Sequence, residues 1–71
     1  MPKDLRPLVT LERNNTGRLF IGVTEFKPTG AVRAYVLSQQ TEHVHEAVMN
    51  RRFLDMVRLM GDNIQTRNPG L

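Results

Sequence analysis

The chain has no cysteine and no tryptophan, and its aromatic content is one tyrosine and three phenylalanines in 71 residues. Without cysteine, a disulfide scaffold, a cysteine zinc site and an iron–sulfur centre are all excluded, and a reducing, cytoplasmic setting is expected. Long apolar runs are also missing. The longest, at positions 19–23, is far short of the roughly 18 or more residues that span a bilayer, so no membrane association is expected. Positions 1–8 carry charge but no apolar stretch, which argues against a signal peptide. The five glycines are scattered and build no phosphate loop.

Catalytic groupings are equally scarce. His43 and His45 are the only histidines. On a helix they point to different sides, and His43 with Glu46 at i, i+3 would still need a further ligand that nothing marks. Ser38 has no nucleophile-elbow motif around it. Glu42 and Glu46 read as the ordinary acidic start of a helix. No enzyme activity, metal or cofactor is therefore expected.

What is present is an ordinary globular composition, 39% hydrophobic and 24% charged. A domain of this length buries only about 60% of the surface its unfolded chain exposes, so its core is small and a partner subunit is expected. Ten basic residues, eight of them arginine, face seven acidic ones, for a net charge of +3. The excess lies in the first 40 residues. Arginine forms forked contacts to phosphate and carboxylate, so this balance suits nucleic-acid binding without demanding it.

The pattern along the chain predicts a single α+β domain. Positions 1–7 form a leader with Pro2 and Pro7. Three β-rich stretches, 8–13, 18–27 and 31–37, are separated by the turns Asn14-Asn15-Thr16-Gly17 and Lys27-Pro28-Thr29-Gly30. Short loops imply antiparallel neighbours, hence a three-stranded meander over 8–38. Helix formers dominate 41–64, with Thr41 as a cap, Glu42 in the first turn and Gly61 as a stop. Positions 65–71 read as a flexible tail. The expected order is βββα.

The helical stretch carries two apolar stripes on nearly opposite sides. Val44, Ala47, Val48 and Leu54 form one. Met49, Phe53, Met56, Val57, Met60 and Ile64 form the other. A straight helix cannot bury both against one small sheet. Either it breaks near Asn50, or its first half covers the sheet while the second half meets another chain. The second arrangement makes Met49, Phe53, Met56, Val57, Met60 and Ile64 a homodimer or partner interface. The same stripe can also be ordinary core, or an adaptable methionine groove.

In the strands, Leu19, Ile21 and Val23 share a face, as do Val32, Ala34 and Val36. These aliphatic faces are expected beneath the helix. The other faces collect Phe20, Phe26, Arg33 and Tyr35, with Gly22 leaving a flat spot and Arg13, Arg18 and Lys27 at the rim. Rings of this kind stack on unpaired bases, and arginine neutralises phosphate. The competing reading is a second core layer covered by the leader, the tail or another subunit.

The stretch Val9-Thr10-Leu11-Glu12 with Thr16-Gly17-Arg18-Leu19-Phe20-Ile21-Gly22-Val23-Thr24-Glu25-Phe26 resembles the strand–turn–strand of the transcriptional-coactivator single-strand binders. That resemblance implies a sheet followed by a helix and dimerisation through the helix. The family's fourth strand and basic glycine-rich segment before the helix have no counterpart in this sequence. Two functions are expected. The first is a non-enzymatic nucleic-acid-binding accessory or regulatory protein using Arg13, Arg18, Phe20, Phe26, Lys27, Arg33 and Tyr35. The second is a protein-interaction module, an inhibitor or adaptor of a larger protein, of the compact kind that phages and plasmids often encode.

Overall fold

A computed structural model of the chain describes residues 4–41 and 45–67. The expected Glu42 at the helix start, His43, Val44, the first three residues of the leader and residues 68–71 of the tail lie outside the described residues.

The fold is α+β. Strands β1 (Leu8–Arg13), β2 (Leu19–Phe26) and β3 (Val32–Gln39) form an antiparallel meander, followed by helix α1 (Glu46–Met60), a single 3-10 turn (Gly61–Asn63) and a short strand β4 (Gln65–Arg67). The sheet order is β3-β2-β1-β4. Both hairpins close the same way. Gly17 donates to the Asn14 carbonyl at 3.0 Å and Gly30 to the Lys27 carbonyl at 2.9 Å, each at a positive φ that a side chain disfavours.

In β1–β2, Val9 lies opposite Val23 and Leu11 opposite Ile21. These residues and Leu19 point to one face, and α1 lies across it. Met49 and Phe53 reach down from the helix, Ile64 closes one end, and Met56 and Val57 pack alongside. Among the described residues the core is this cluster of eight buried apolar side chains. Arg13 ion-pairs with Glu46 and so ties the end of β1 to the start of α1.

Three expectations about the helix change. It does not break near Asn50 but runs unbroken from Glu46, with His45 rather than Thr41 in the cap position. The stripe assigned to a subunit interface is the intrachain core. Met49, Phe53 and Ile64 are buried within the chain and Met56 and Val57 are half-buried, leaving only Met60 exposed. The stripe of Ala47, Val48 and Leu54, expected on the sheet, faces outward. The longer stripe with the larger side chains takes the sheet, because one helix offers one face to one sheet. Gly61 does stop the helix. Its φ is 54°, and its N–H returns to the Val57 carbonyl.

The tail also differs. Gln65, Thr66 and Arg67 form β4, parallel to β1 and opposite Leu8, Val9 and Thr10. The Gln65 N–H donates to the Pro7 carbonyl at 2.8 Å, and its side-chain amide donates to the Arg6 carbonyl at 2.9 Å. Backbone pairing of three residues leaves no periodic signature in a sequence, which is why the strand reads as loose tail. The fourth strand thus follows the helix instead of preceding it. The connection from β3 through α1 to β4 carries the helix over the middle of the sheet, so α1 packs mainly on β1 and β2 and meets β3 at Ser38, whose hydroxyl accepts from Arg52 Nη1 at 3.3 Å.

Candidate interaction surface

The register of β3 decides which side chains share a face. Val23 lies opposite Tyr35, and Glu25 opposite Arg33, so Tyr35 and Arg33 lie on the helix side of the sheet. Gly22 lies opposite Val36, Thr24 opposite Ala34 and Phe26 opposite Val32, which puts those residues with Phe20 on the open face. The expected grouping of Phe20, Phe26, Arg33 and Tyr35 on one face is therefore divided between two. Alternation within each strand was readable. The relative register of β2 and β3 was not, because it is set by how the Lys27–Ala31 hairpin closes, and that register carries through to Gly22–Val36 before a bulge shifts it between Ile21 and Gly22.

The rim cations are separated as well. Arg13 is held by Glu46 and by the Gly17 carbonyl, to which it donates at 3.0 Å. Arg18 lies at the first hairpin, beside a polar depression of about 390 Å³ lined also by Asn14, Thr16, Gln39, Gln40 and Thr41. Within it, the Asn14 Oδ1 accepts from the Thr16 N–H, the Thr16 hydroxyl and the Arg18 N–H, so that carboxamide serves the turn. Lys27 is exposed at the second hairpin, on the opposite end of β2.

On the helix side, Arg33, Tyr35 and Glu25 form a small polar chain. The Arg33 guanidinium carbon lies 5.7 Å from the Tyr35 ring centroid. The Tyr35 hydroxyl donates to Glu25 Oε1 at 2.9 Å, and that bond to a carboxylate holds the phenol above its ordinary pKa. Next to it, Tyr35, Leu37, Met56, Met60, Val23 and Ile64 line an apolar groove of about 280 Å³ between β3 and the last turns of α1. Met56 thus serves both the core edge and this groove, while Met60 lines the groove alone.

The open face carries Phe20, Phe26, Val32, Ala34 and Val36 together with Thr10, Thr24 and the Glu12–Arg67 pair. Phe20 lies beside Gly22, where an added Cβ would meet the Phe20 ring at 3.5 Å and the Thr10 hydroxyl at 3.2 Å. Thr10, Thr24, Ala34 and Val36 line a shallow depression of about 210 Å³ around that spot. The cross-strand charges at its margin satisfy each other, with Arg67 Nη2 donating to Glu12 Oε1 at 3.1 Å. The third strand lies where the sequence predicts it, but Val32, Ala34 and Val36, expected beneath the helix, stand on the open face. Val32, Val36 and Leu37 are 61%, 54% and 52% exposed, although each belongs to the sheet. A signal existed in the sequence: β3 has apolar residues on both sides of its alternation, too many for one covered face.

Among the described residues no group of three or more histidine, aspartate or glutamate side chains could hold a metal ion. No described helix is long and apolar enough to cross a membrane. Comparison with known proteins gives no matching family model, no matching curated protein and no matching solved structure.

Proposed function

We propose that this chain is a non-enzymatic protein-interaction module of the adaptor or inhibitor type, which docks through the open face of its sheet. The observation that carries this reading is the exposure of β3, whose Val32 and Val36 stand on the open face beside Phe20, Phe26 and Ala34. A sheet with apolar residues on both faces is normally covered on both. Here α1 covers one. The partner that fits the other is the apolar side of an amphipathic helix on a larger protein, laid across the sheet as α1 is laid across its reverse. The Phe20 ring lies over Gly22, and Ala34 beside it is small, which favours a low surface for such a helix. The Glu12–Arg67 pair leaves the centre of the face without a charge to compensate.

The test is capture with purified chain as bait. A partner held by the natural chain should be lost with Val36→Arg, which places a charge in the middle of the face. Val36 is more than half exposed, so the variant should keep its far-ultraviolet circular dichroism. A partner retained equally by both would contradict this docking face.

The nucleic-acid reading is supported by one arrangement. Arg18 and Lys27 are exposed at opposite ends of β2, with the Phe20 and Phe26 rings between them on the open face. Two phosphates of one strand could be held at the ends and two bases stacked between. Titration against labelled single-stranded and duplex oligonucleotides at two salt concentrations separates the readings. Affinity that falls steeply with salt supports phosphate contacts. No binding at low salt discards them.

A further inference from the structure

We infer that the free backbone edge of β3 pairs with β3 of a second copy of the chain, antiparallel about a two-fold axis at Ala34, joining two sheets into one. This concerns the edge of the sheet and goes beyond the docking of its open face.

Among the described residues no strand pairs with this edge. The Lys27 N–H donates to the Ala31 carbonyl at 3.0 Å, so residues 27 and 31 form a hydrogen-bonded pair. Alternation then turns the backbone groups of Arg33 and Tyr35 toward β2, and those of Val32, Ala34 and Val36 outward. Exposed edges are usually blunted by proline, lysine, shortness or a covering element. β3 has eight residues, no proline and no lysine, and one charge, Arg33. The opposite edge shows the contrast: β4 is three residues long, and its arginine is engaged by Glu12.

The sequence of the edge selects the occupant. Val32-Arg33-Ala34-Tyr35-Val36 is nearly palindromic about Ala34. With the axis there, Ala34 exchanges both backbone hydrogen bonds with its own copy, and Val32 and Val36 do so with each other. All three are residues whose backbone groups point outward, as that register requires. On the helix side, Arg33 then lies directly opposite Tyr35 of the other copy. The cation–ring contact made at 5.7 Å within one chain is offered again across the axis. An axis at Arg33 would oppose two guanidinium groups. An axis at Tyr35 would place Arg33 against Leu37 and Val32 against Ser38. Only the Ala34 register pairs apolar with apolar and cation with ring. A chain whose described core holds eight buried apolar side chains also gains from a second subunit.

The measurement is sedimentation equilibrium of the purified chain from micromolar to millimolar concentration. The natural chain should convert from monomer to dimer. Ala34→Pro should weaken the dimer by at least about tenfold, because the lost N–H points outward and serves no bond within the chain. Its circular dichroism should be unchanged. Ala34→Cys gives a second readout in case proline unfolds β3. The chain has no other cysteine, so mild oxidation should form a disulfide-linked dimer several-fold faster than in Thr16→Cys at the hairpin. A natural chain that stays monomeric throughout overturns the inference. So does a dimer that persists in folded Ala34→Pro, or equal crosslinking by the two cysteine variants. None of these results affects capture of a larger partner by the open face.

Discussion

Strands β2 and β3 are equally long, directly hydrogen-bonded and both rich in branched and aromatic residues. Leu19, Ile21 and Val23 of β2 are nevertheless buried, while Val32, Val36 and Leu37 of β3 are more than half exposed. Residue type does not account for the difference. The face and the path of α1 do: Val32 and Val36 stand on the face away from the helix, and Leu37, on its side, lies past it. The helix must reach from the end of β3 to the far side of β1, where β4 pairs, so it crosses the strands between. The covered strands supply the buried side chains of the described core, and the uncovered one presents exposed apolar side chains.

This contrast can be broken most sharply in the core. Ile21→Ala should cost about 2–5 kcal/mol, since it removes a wholly buried side chain from beneath the helix. Urea unfolding should show most of the stability gone. Val36→Ala, made one strand away, should change the monomer by no more than about 0.5 kcal/mol in the same assay. Equal effects from the two variants would mean that β3 is as fully packed as β2.

A smaller effect is expected at the end of α1. Gly61→Ala forces a side chain onto a residue with φ of 54° and should cost roughly 1 kcal/mol, read as a lower unfolding midpoint. Smaller still is Glu46→Gln. It removes the partner of Arg13 from a half-exposed ion pair and should cost a few tenths of a kcal/mol, fading in high salt.

The leader provides a pH test of how the covered side is fastened. Asp4 is held by the Arg6 guanidinium through side-chain hydrogen bonds, which bring its pKa from 3.8 to about 2. Arg6 also donates to the Asp62 carbonyl at 3.1 Å and so ties the leader to the turn after α1. A carboxyl depressed in the folded state stabilises fully above its unfolded value. That contribution is therefore present above pH 3.8 and disappears as the pH falls toward 2. Nuclear magnetic resonance titration of the Asp4 carboxyl should give its midpoint near 2, and Arg6→Ala should return it toward 3.8.

The elements were largely legible in the sequence because their signals are local. The two glycine turns fixed the hairpins, branched residues marked the strands, and Gly61 marked the helix stop. The assembly of those elements was less legible. Two apolar stripes on one helix suggested a second subunit at Met49 and Phe53, yet those residues meet the chain's own sheet. Which stripe wins depends on the sheet beneath it, which periodicity does not describe. The candidate surface failed for the same kind of reason. Phe20 and Tyr35 each occupy the face that alternation assigns within their own strand. The closure of the hairpin between β2 and β3 decides whether the two faces coincide, and they do not.

The most direct test of the division between a covered and an uncovered sheet is residue-resolved amide hydrogen exchange in dilute solution. The account predicts strong protection, approaching that of global unfolding, for the paired amides of Thr10 in β1 and Ile21 in β2. It predicts fast exchange for Val32, Ala34 and Val36, whose N–H groups face outward from β3. Their protection should rise as the concentration is raised and the edge is taken by a second copy. Strong protection of all three in dilute, monomeric solution would contradict it, because the edge would then already be covered within the chain.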